Sequence, residues 1–277
     1  MLLRFTKMHG LGNDFMVVDL VTQRYKFNST MVKRLGDRKL GIGFDQLLII
    51  EVPSNPEMDF RYRIFNSDGS EVEHCGNGAR CFALFVRDKR LTVKNKVKVE
   101  TAKGNMTLTI REDRLVEVDM GAPILDPAKI PFNAEQQQIS YPLQVAGQNL
   151  DISAVSMGNP HGVLVVDDVQ TVAVEVLGIA IQQHGIFPES TNVGFMQIVS
   201  DSEINLRVYE RSVGETLACG TGACAAVVAG RRLGLLSERV KVNVTGGDLE
   251  VAWGGGDEDS VIMTGPATNV FEGKMFI

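Results

Sequence analysis

The stretch "EVEHCGNGARCFA" (residues 71–83) returns in altered form as "ETLACGTGACAA" (residues 215–226). Each copy has a cysteine, then Gly-x-Gly-Ala, and then apolar residues with helical spacing. The two cysteines, Cys75 and Cys219, are separated by 219 − 75 = 144 residues. The repetition predicts that two parts of the chain share one design, each with a cysteine at the start of a helix.

The similarity between the two halves extends well beyond the cysteine phrase. At an offset of 144, "RIFNSDGSEVEHCGNGA" aligns without a gap with "RVYERSVGETLACGTGA". A self-similarity of this length is typical of a duplicated structural unit. We therefore expect an N-terminal domain at residues 1–120, to which 266–277 returns, and a C-terminal domain at 121–265. The aligned polar pairs are Arg63 with Arg207 and Glu71 with Glu215 at 144, and Asn13 with Asn159 and Gln46 with Asn192 at 146.

Short apolar or alternating runs such as "FMVVD", "QLLIIE", "GVLVVDD" and "NVGFMQIV" predict strands in both halves. Helices are predicted for "STMVKRLGDRK", with Ser29 as its N-cap, and for the two runs that follow the cysteines. The predicted fold class is α+β. It has two pseudo-symmetric domains, each a mostly antiparallel sheet wrapped on a central helix, with the active site expected in the interdomain cleft.

Composition excludes several classes of protein. The chain has 277 residues, 44% of them hydrophobic and 22% charged, with a net charge of −6. This charge argues against a broad nucleic-acid surface, and we expect no nucleic-acid partner. No apolar run has membrane-spanning length, and the N-terminal apolar stretch is too short for a secretory signal. A cytoplasmic protein with reduced cysteines is expected.

A cysteine just before a helix start has a defined chemistry. The unpaired N–H groups and the dipole of the helix favour anions there, which should lower the thiol pKa and create a carboxylate site. Two such sites suit inversion of a carbon next to a carboxylate. One thiolate removes the α-proton, the opposite thiol delivers a proton to the other face, and the N–H groups stabilise the enolate-like charge.

Other readings of the cysteines remain open. Cys81 and Cys224 fit inert packing on the core side of their helices. Their spacings from Cys75 and Cys219 could be read as zinc ligand pairs, although the helix starts between them disfavour this, and we expect no metal. A Cys75–Cys219 disulfide would be an oxidation product in a reducing compartment.

The sequence resembles the diaminopimelate epimerases over essentially its whole length. The motifs that carry the resemblance include "KMHGLGNDF" (7–15), "FNSDGSEVEHCGNGARC" (65–81), "SMGNPH" (156–161), "VYERSVGET" (208–216) and "ACGTGACAA" (218–226). The resemblance implies an enzyme that needs no cofactor and interconverts LL- and meso-diaminopimelate, a small-molecule substrate, in lysine and cell-wall precursor synthesis. It also implies a homodimer.

The resemblance also assigns roles to residues. It implies that Cys75 and Cys219 are the acid–base pair and that His161 and Glu210 influence their ionisation. It implies contact with substrate at eleven positions: Asn13, Gln46, Asn66, Gly76, Asn77, Asn159, Asn192, Glu210, Arg211, Gly220 and Thr221. The resemblance also places Phe271 where many relatives carry a tyrosine that supports the dimer contact.

One substrate-binding position breaks the symmetry of the repeat. Arg211 falls opposite Ser67 in the alignment. Because a guanidinium pairs bidentately with a carboxylate, Arg211 is interpreted as the clamp for the distal carboxylate. Three alternatives are weighed against this: a proline or hydroxyproline racemase, whose substrate lacks a second charged end; a non-catalytic amino-acid binder, which needs no thiols; and a pyridoxal phosphate enzyme, for which no lysine stands out.

Overall fold

The computed structural model describes residues 2–72, 76–102 and 104–276. By internal packing the chain divides into two compact units, Met1–Asp119 with Gly265–Ile277, and Met120–Thr264. Within the described residues no helix is both long and apolar enough to cross a bilayer. The mixed fold, mostly sheet with few helices, confirms the predicted class.

The first unit begins with eight strands and two helices. These are β1 (Leu2–Gly10), β2 (Asn13–Asp19), α1 (Ser29–Gly36), β3 (Gln46–Glu51), β4 (Phe60–Asn66), β5 (Glu71–Val72), α2 (Gly76–Asp88), β6 (Lys96–Thr101), β7 (Gly104–Ile110) and β8 (Val116–Asp119).

The second unit follows, and the chain then returns to the first. Its elements are a 3₁₀ turn (Pro127–Lys129), β9 (Tyr141–Val145), β10 (Gln148–Ser156), β11 (Pro160–Val165), α3 (Val174–Gln182), β12 (Asn192–Ser200), β13 (Glu203–Glu210), β14 (Gly214–Thr216), α4 (Gly220–Arg232), β15 (Arg239–Val244), β16 (Gly247–Ala252) and β17 (Ile262–Gly265). The last strand, β18 (Thr268–Phe276), pairs with β1 of the first unit.

The two units have the same strand order. In the first, the order is β18-β1-β2-β3-β4-β6-β7-β8, with β5 added on β4. In the second, it is β9-β10-β11-β12-β13-β15-β16-β17, with β14 added on β13. The pairs β2–β3 and β4–β6, and their counterparts β11–β12 and β13–β15, are parallel. The other pairs described within each unit are antiparallel, as predicted.

The central helices are α2 and α4, which lie in the two units at the offset of 144. Residues Gly76–Val86 of α2 are all buried, and so are most of those from Gly220 to Gly230 of α4. Helices that are buried along most of their length are packed on all sides, which fits the predicted central position of α2 and α4. The helix α2 fills its core with large side chains, as Phe82 packs on Phe60 and Tyr62, whereas α4 uses mainly alanine and valine.

The shorter helices show what sequence reasoning got wrong or missed. The N-cap of α1 is Asn28, whose side chain accepts a hydrogen bond from Met31 N at 2.9 Å, and Ser29 is the first helical residue. The helix α3 was not predicted from the sequence, because its β-branched valines and isoleucines are typical of a strand. Val174, Leu177 and Ile181 nevertheless bury one helical face.

Candidate active site

The second cysteine phrase forms a helix start. Cys219 is the N-cap of α4, with φ −117° and ψ 107°, and its carbonyl accepts the first helical hydrogen bond, from Ala223 N at 2.9 Å. The next N–H groups, of Gly220 and Thr221, have no acceptor within the helix. They point toward the N-terminal end, where the helix dipole favours an anion. In the first unit α2 begins at Gly76, and Cys75 lies outside the described residues.

The second glycine of each phrase has a packing role that the sequence did not reveal. Gly78 and Gly222 lie inside their helices rather than in a turn. A Cβ on Gly78 would approach Leu48 Cδ1 to 3.0 Å, and one on Gly222 would approach Val208 Cγ2 to 3.0 Å. These glycines therefore let the helix start pack closely against its sheet.

Four polar side chains of the second unit form a line that ends at the thiol. His161 Nε2 donates to Asn159 Oδ1 at 3.1 Å, and Asn159 Nδ2 donates to Thr221 Oγ1 at 3.4 Å. Thr221 Oγ1 lies 3.6 Å from Cys219 Sγ. Because the threonine oxygen already accepts from Asn159, its hydroxyl hydrogen is available to the sulfur.

The ionisation of Cys219 differs from the sequence-based expectation. Burial raises the pKa of this free thiol well above its usual range, and the charge of Glu210 raises it further. Hydrogen bonds from Thr221 and Gly222 lower the pKa but do not offset burial. The expectation that the helix start would lower the thiol pKa is therefore wrong for Cys219, because desolvation outweighs the helix. The residue is held as a neutral thiol.

His161 is only 1% exposed. Burial lowers the pKa of its imidazole to about 3, and the positive charge of Arg211 lowers it further. The ring is therefore neutral near pH 7. Its described side-chain hydrogen bond is to Asn159, so the hydrogen-bonded path from His161 to Cys219 passes through Asn159 and Thr221.

Glu210 and Arg211 lie at the end of β13. Glu210 Oε1 accepts from Thr216 Oγ1 at 2.6 Å. The backbone N–H of Arg211 donates to Asn192 Oδ1 at 2.9 Å, and Asn192 Nδ2 donates to Pro160 O at 3.0 Å. The Arg211 side chain is exposed and donates to Glu189 O at 3.1 Å. Thr216 was missed by sequence reasoning, although it lies in the quoted motif three residues before Cys219.

The first unit brings its own predicted residues together in two pairs. Gln46 and Asn66 are register partners on β3 and β4, and Gln46 Nε2 donates to Asn66 Oδ1 at 3.0 Å. Gln46 Oε1 is buried and accepts no hydrogen bond from the residues that the structure describes. Asn77 Nδ2, at the start of α2, donates to Asn13 Oδ1 at 3.3 Å.

Two further residues of the first unit escaped sequence reasoning. Asp45 accepts from Asn13, and Arg80 donates to Asn77. The available signal for Arg80 was a lone arginine within the apolar run "GARCFALFV". Phe271 lies apart from these clusters, on β18, half-exposed and edge-on to Phe5 at 6.1 Å between ring centroids.

Within 2–72, 76–102 and 104–276, no group of three or more His, Cys, Asp or Glu side chains is arranged to hold a metal ion.

Comparison with known proteins relates this arrangement to a family. A family model described as diaminopimelate epimerase matches residues 5–125 and 153–270. Curated diaminopimelate epimerases of Pseudomonas aeruginosa, Pseudomonas entomophila and Azotobacter vinelandii are 58%, 59% and 57% identical over 275 residues, 99% of each chain.

Solved structures share the fold at much lower identity. A phenazine biosynthesis protein of the PhzF family from Bacillus anthracis has a TM-score of 0.73 at 14% identity, covering 100% of both chains. A hydroxyproline epimerase from Agrobacterium vitis has a TM-score of 0.70 at 13% identity, covering 99% of this chain and 92% of that one. The family model and the curated relatives together show that the chain belongs to the diaminopimelate epimerase family.

Proposed function

We propose that the protein is a diaminopimelate epimerase that inverts one α-carbon of its substrate with two cysteine thiols and no cofactor. The substrate follows from relatives that are 58% identical over 99% of the chain. One observation carries the chemistry: a buried thiol, Cys219, caps a helix whose first two N–H groups, those of Gly220 and Thr221, have no acceptor within the helix and can bind a carboxylate.

Cys219 is suited to the acid role. A thiol whose pKa is raised by burial and by Glu210 stays protonated at neutral pH and has a proton to deliver. In the same direction of reaction, Cys75 acts as the thiolate base. It takes the α-hydrogen as a proton, and the C–H electron pair passes into the enolate of the carboxylate. The pair then forms a new C–H bond on the opposite face with the proton from Cys219, and the two roles exchange in the reverse direction.

The reacting end of the substrate is expected to bind at the helix starts. The N–H groups of Gly76 and Asn77, and of Gly220 and Thr221, would donate hydrogen bonds to the carboxylate and stabilise the charge that develops on it. An unsatisfied buried acceptor costs about 1–3 kcal/mol. Gln46 Oε1 is such an acceptor, and an ammonium N–H of the substrate would satisfy it.

The distal end is expected at the end of β13. Arg211 supplies a guanidinium for the distal carboxylate, and its backbone is held by Asn192. Glu210 can serve the distal ammonium while its charge keeps Cys219 protonated. A proline-type substrate has no second charged end, so these two residues favour diaminopimelate.

Deuterium wash-in tests this proposal. The purified protein is incubated with LL-diaminopimelate in D₂O, with a chelator and without added cofactor. We expect deuterium at the α-carbon together with formation of the meso isomer. Binding without exchange would identify an amino-acid binder. Exchange into proline or hydroxyproline, but not into diaminopimelate, would identify a racemase of the other type. Loss of activity on chelation would favour a metal enzyme.

A homodimer in the cytoplasm is part of the proposal. The strand β18 is the outer strand of its sheet and exposes Val270, Phe271 and Phe276. A second copy would cover these apolar side chains. Sedimentation of the wild type and of Phe271→Asp tests this: a dimer that Phe271→Asp converts to monomer supports it, and a monomeric wild type contradicts it.

A further inference from the structure

A line of hydrogen bonds in the first unit runs between two charged side chains. Arg80 Nη2 donates to Asn77 Oδ1 at 2.9 Å, and Asn77 Nδ2 donates to Asn13 Oδ1 at 3.3 Å. Asn13 Nδ2 donates to Asp45 Oδ2 at 3.1 Å. A guanidinium can only donate and a carboxylate can only accept. Arg80 and Asp45 at the two ends therefore fix the orientation of the side-chain amides of Asn77 and Asn13 between them.

Arg80 is fully buried, with 0% of its surface exposed. Its Nε donates to Pro266 O at 3.0 Å, and its Nη1 lies 3.5 Å from Gly76 O. A Cβ on Gly10 would approach Arg80 Nη2 to 3.1 Å and Asn77 Cβ to 3.2 Å, so the backbone of β1 closes tightly over the pair. The guanidinium thus ties the first turn of α2 to the segment that precedes β18.

This arrangement is unfavourable for helix stability by itself. A cation near the start of a helix opposes the helix dipole, and a buried charge must recover its lost hydration through hydrogen bonds. The fold does not require it either, because at the aligned positions of the second unit Cys224 replaces Arg80 and Thr191 replaces Asp45. A role in orienting the start of α2 would explain why the first unit has this buried cation and why the second unit lacks it.

We propose that Arg80 is a positioning residue. With Asp45 it orients the side chains of Asn13 and Asn77 and the first turn of α2 to receive the substrate carboxylate. Because Cys75 immediately precedes α2 in the sequence, we expect the half-reaction that depends on Cys75 to be the one that Arg80 affects most. This inference rests on the proposed epimerase function.

The test compares two half-reactions. In a Cys219→Ala background, exchange of the α-proton of diaminopimelate with D₂O depends on Cys75, and in a Cys75→Ala background it depends on Cys219. Arg80→Lys keeps the charge and loses the planar fork. Since small misplacements cost up to about 100-fold in rate, we expect Arg80→Lys to slow the Cys75-dependent exchange at least about tenfold more than the Cys219-dependent one. Equal slowing of both would overturn the proposal.

Phe82→Leu is the matched control for lost stability. It lies on the same helix and loosens packing on Phe60 and Tyr62 without a described contact to Asn77. We expect Phe82→Leu to change the ratio of the two half-reactions less than Arg80→Lys does. If neither half-reaction is measurable, kcat/KM of the full reaction decides. A loss in Arg80→Lys no larger than in Phe82→Leu, at similar Tm, would contradict the positioning role.

Asp45→Asn tests the other end without disturbing a buried charge. Asp45 is exposed, and its two oxygens accept from Asn13, from Asp14 N and from Arg38, so an asparagine there replaces one of these acceptors with an N–H donor. We expect KM to rise roughly threefold to tenfold with Tm nearly unchanged, a small effect of misorientation. An unchanged KM would oppose the proposal. Failure of the wild type to exchange the α-proton at all would instead refute the proposed function.

Discussion

The starts of α2 and α4 occupy equivalent places in the two units, yet their hydrogen bonds run in opposite directions. Asn13 aligns with Asn159, and Asn77 with Thr221. In the first unit the helix residue donates to the strand residue, since Asn77 Nδ2 bonds Asn13 Oδ1. In the second unit the strand residue donates to the helix residue, since Asn159 Nδ2 bonds Thr221 Oγ1.

The difference follows from what stands at the ends of each line. In the first unit Arg80 must donate and Asp45 must accept, so the amides between them point from the helix to the strand. In the second unit the line begins at neutral His161 and ends at Cys219, so a hydroxyl hydrogen reaches the sulfur. A duplicated backbone thus supports two different electrostatic settings.

The largest expected effect comes from removing either helix-start thiol. Cys75→Ala and Cys219→Ala should each lower the rate of epimerisation by about 100-fold to 10,000-fold, the range for loss of a general acid or base. The measurement is the initial rate from LL- to meso-diaminopimelate. Cys81→Ala and Cys224→Ala are the controls and should lose only about 1–2 kcal/mol of stability. Near-normal turnover in either helix-start variant would exclude a two-thiol mechanism.

Arg211 is the next test of the asymmetry, because its counterpart is Ser67. Arg211→Lys should reduce kcat/KM for diaminopimelate by about 10-fold to 100-fold, as lysine keeps the charge but loses a bidentate bond to a carboxylate worth about 1.5–3 kcal/mol. The free amino acid lysine, which lacks a distal carboxylate, should be a poor substrate for the wild type. Equal turnover of lysine and diaminopimelate by the wild type would exclude the clamp.

His161 offers a way to make the second unit resemble the first. His161 and Asn192 are register partners on β11 and β12, and the equivalent register partners in the first unit are Phe15 and Gln46 on β2 and β3. The pKa of His161 is about 3 in the folded protein, below the ordinary 6.5. As the pH falls, the imidazole is therefore protonated in the unfolded chain before it is protonated in the folded protein. The wild type should therefore lose stability as the pH falls from about 6.5 toward about 3, by at most ~1.4 kcal/mol per pH unit. His161→Phe removes this contribution, so its Tm should fall less over that window. An equal fall in Tm for the wild type and His161→Phe over this pH range would contradict the prediction.

The smallest effect concerns the feature that both units share most closely. Arg63 bonds Glu71 and Arg207 bonds Glu215, each through two contacts of 2.6 and 2.8 Å. Both pairs are partly exposed, so Arg63→Gln and Arg207→Gln should each cost only about 0.2–1 kcal/mol of stability. Urea unfolding of both variants measures this. A difference above about 1 kcal/mol between them would show that the symmetry of these pairs is superficial.

Much of the fold was predictable from the repeat. The alignment of Arg63 with Arg207 and of Glu71 with Glu215 is matched by two equivalent ion pairs. The helices after the two cysteine phrases begin at Gly76 and Gly220, 144 residues apart as predicted. Such features depend on local spacing and on a register that the chain states twice, so the sequence is sufficient to predict them.

The ionisation and orientation of the site residues depend on tertiary structure. Sequence reasoning placed Cys219 at a helix start but predicted the wrong direction for its pKa, because burial and the approach of Glu210 depend on distant parts of the chain. Arg80 and Asp45 come from separate segments, and only the folded sheet brings them to the two ends of one line of amides. The sequence by itself determined that the two units share one framework and that a cysteine precedes the central helix of each. Tertiary structure decided which groups lose water and which atoms donate, since desolvation and hydrogen-bond direction depend on all the neighbours of a group in space.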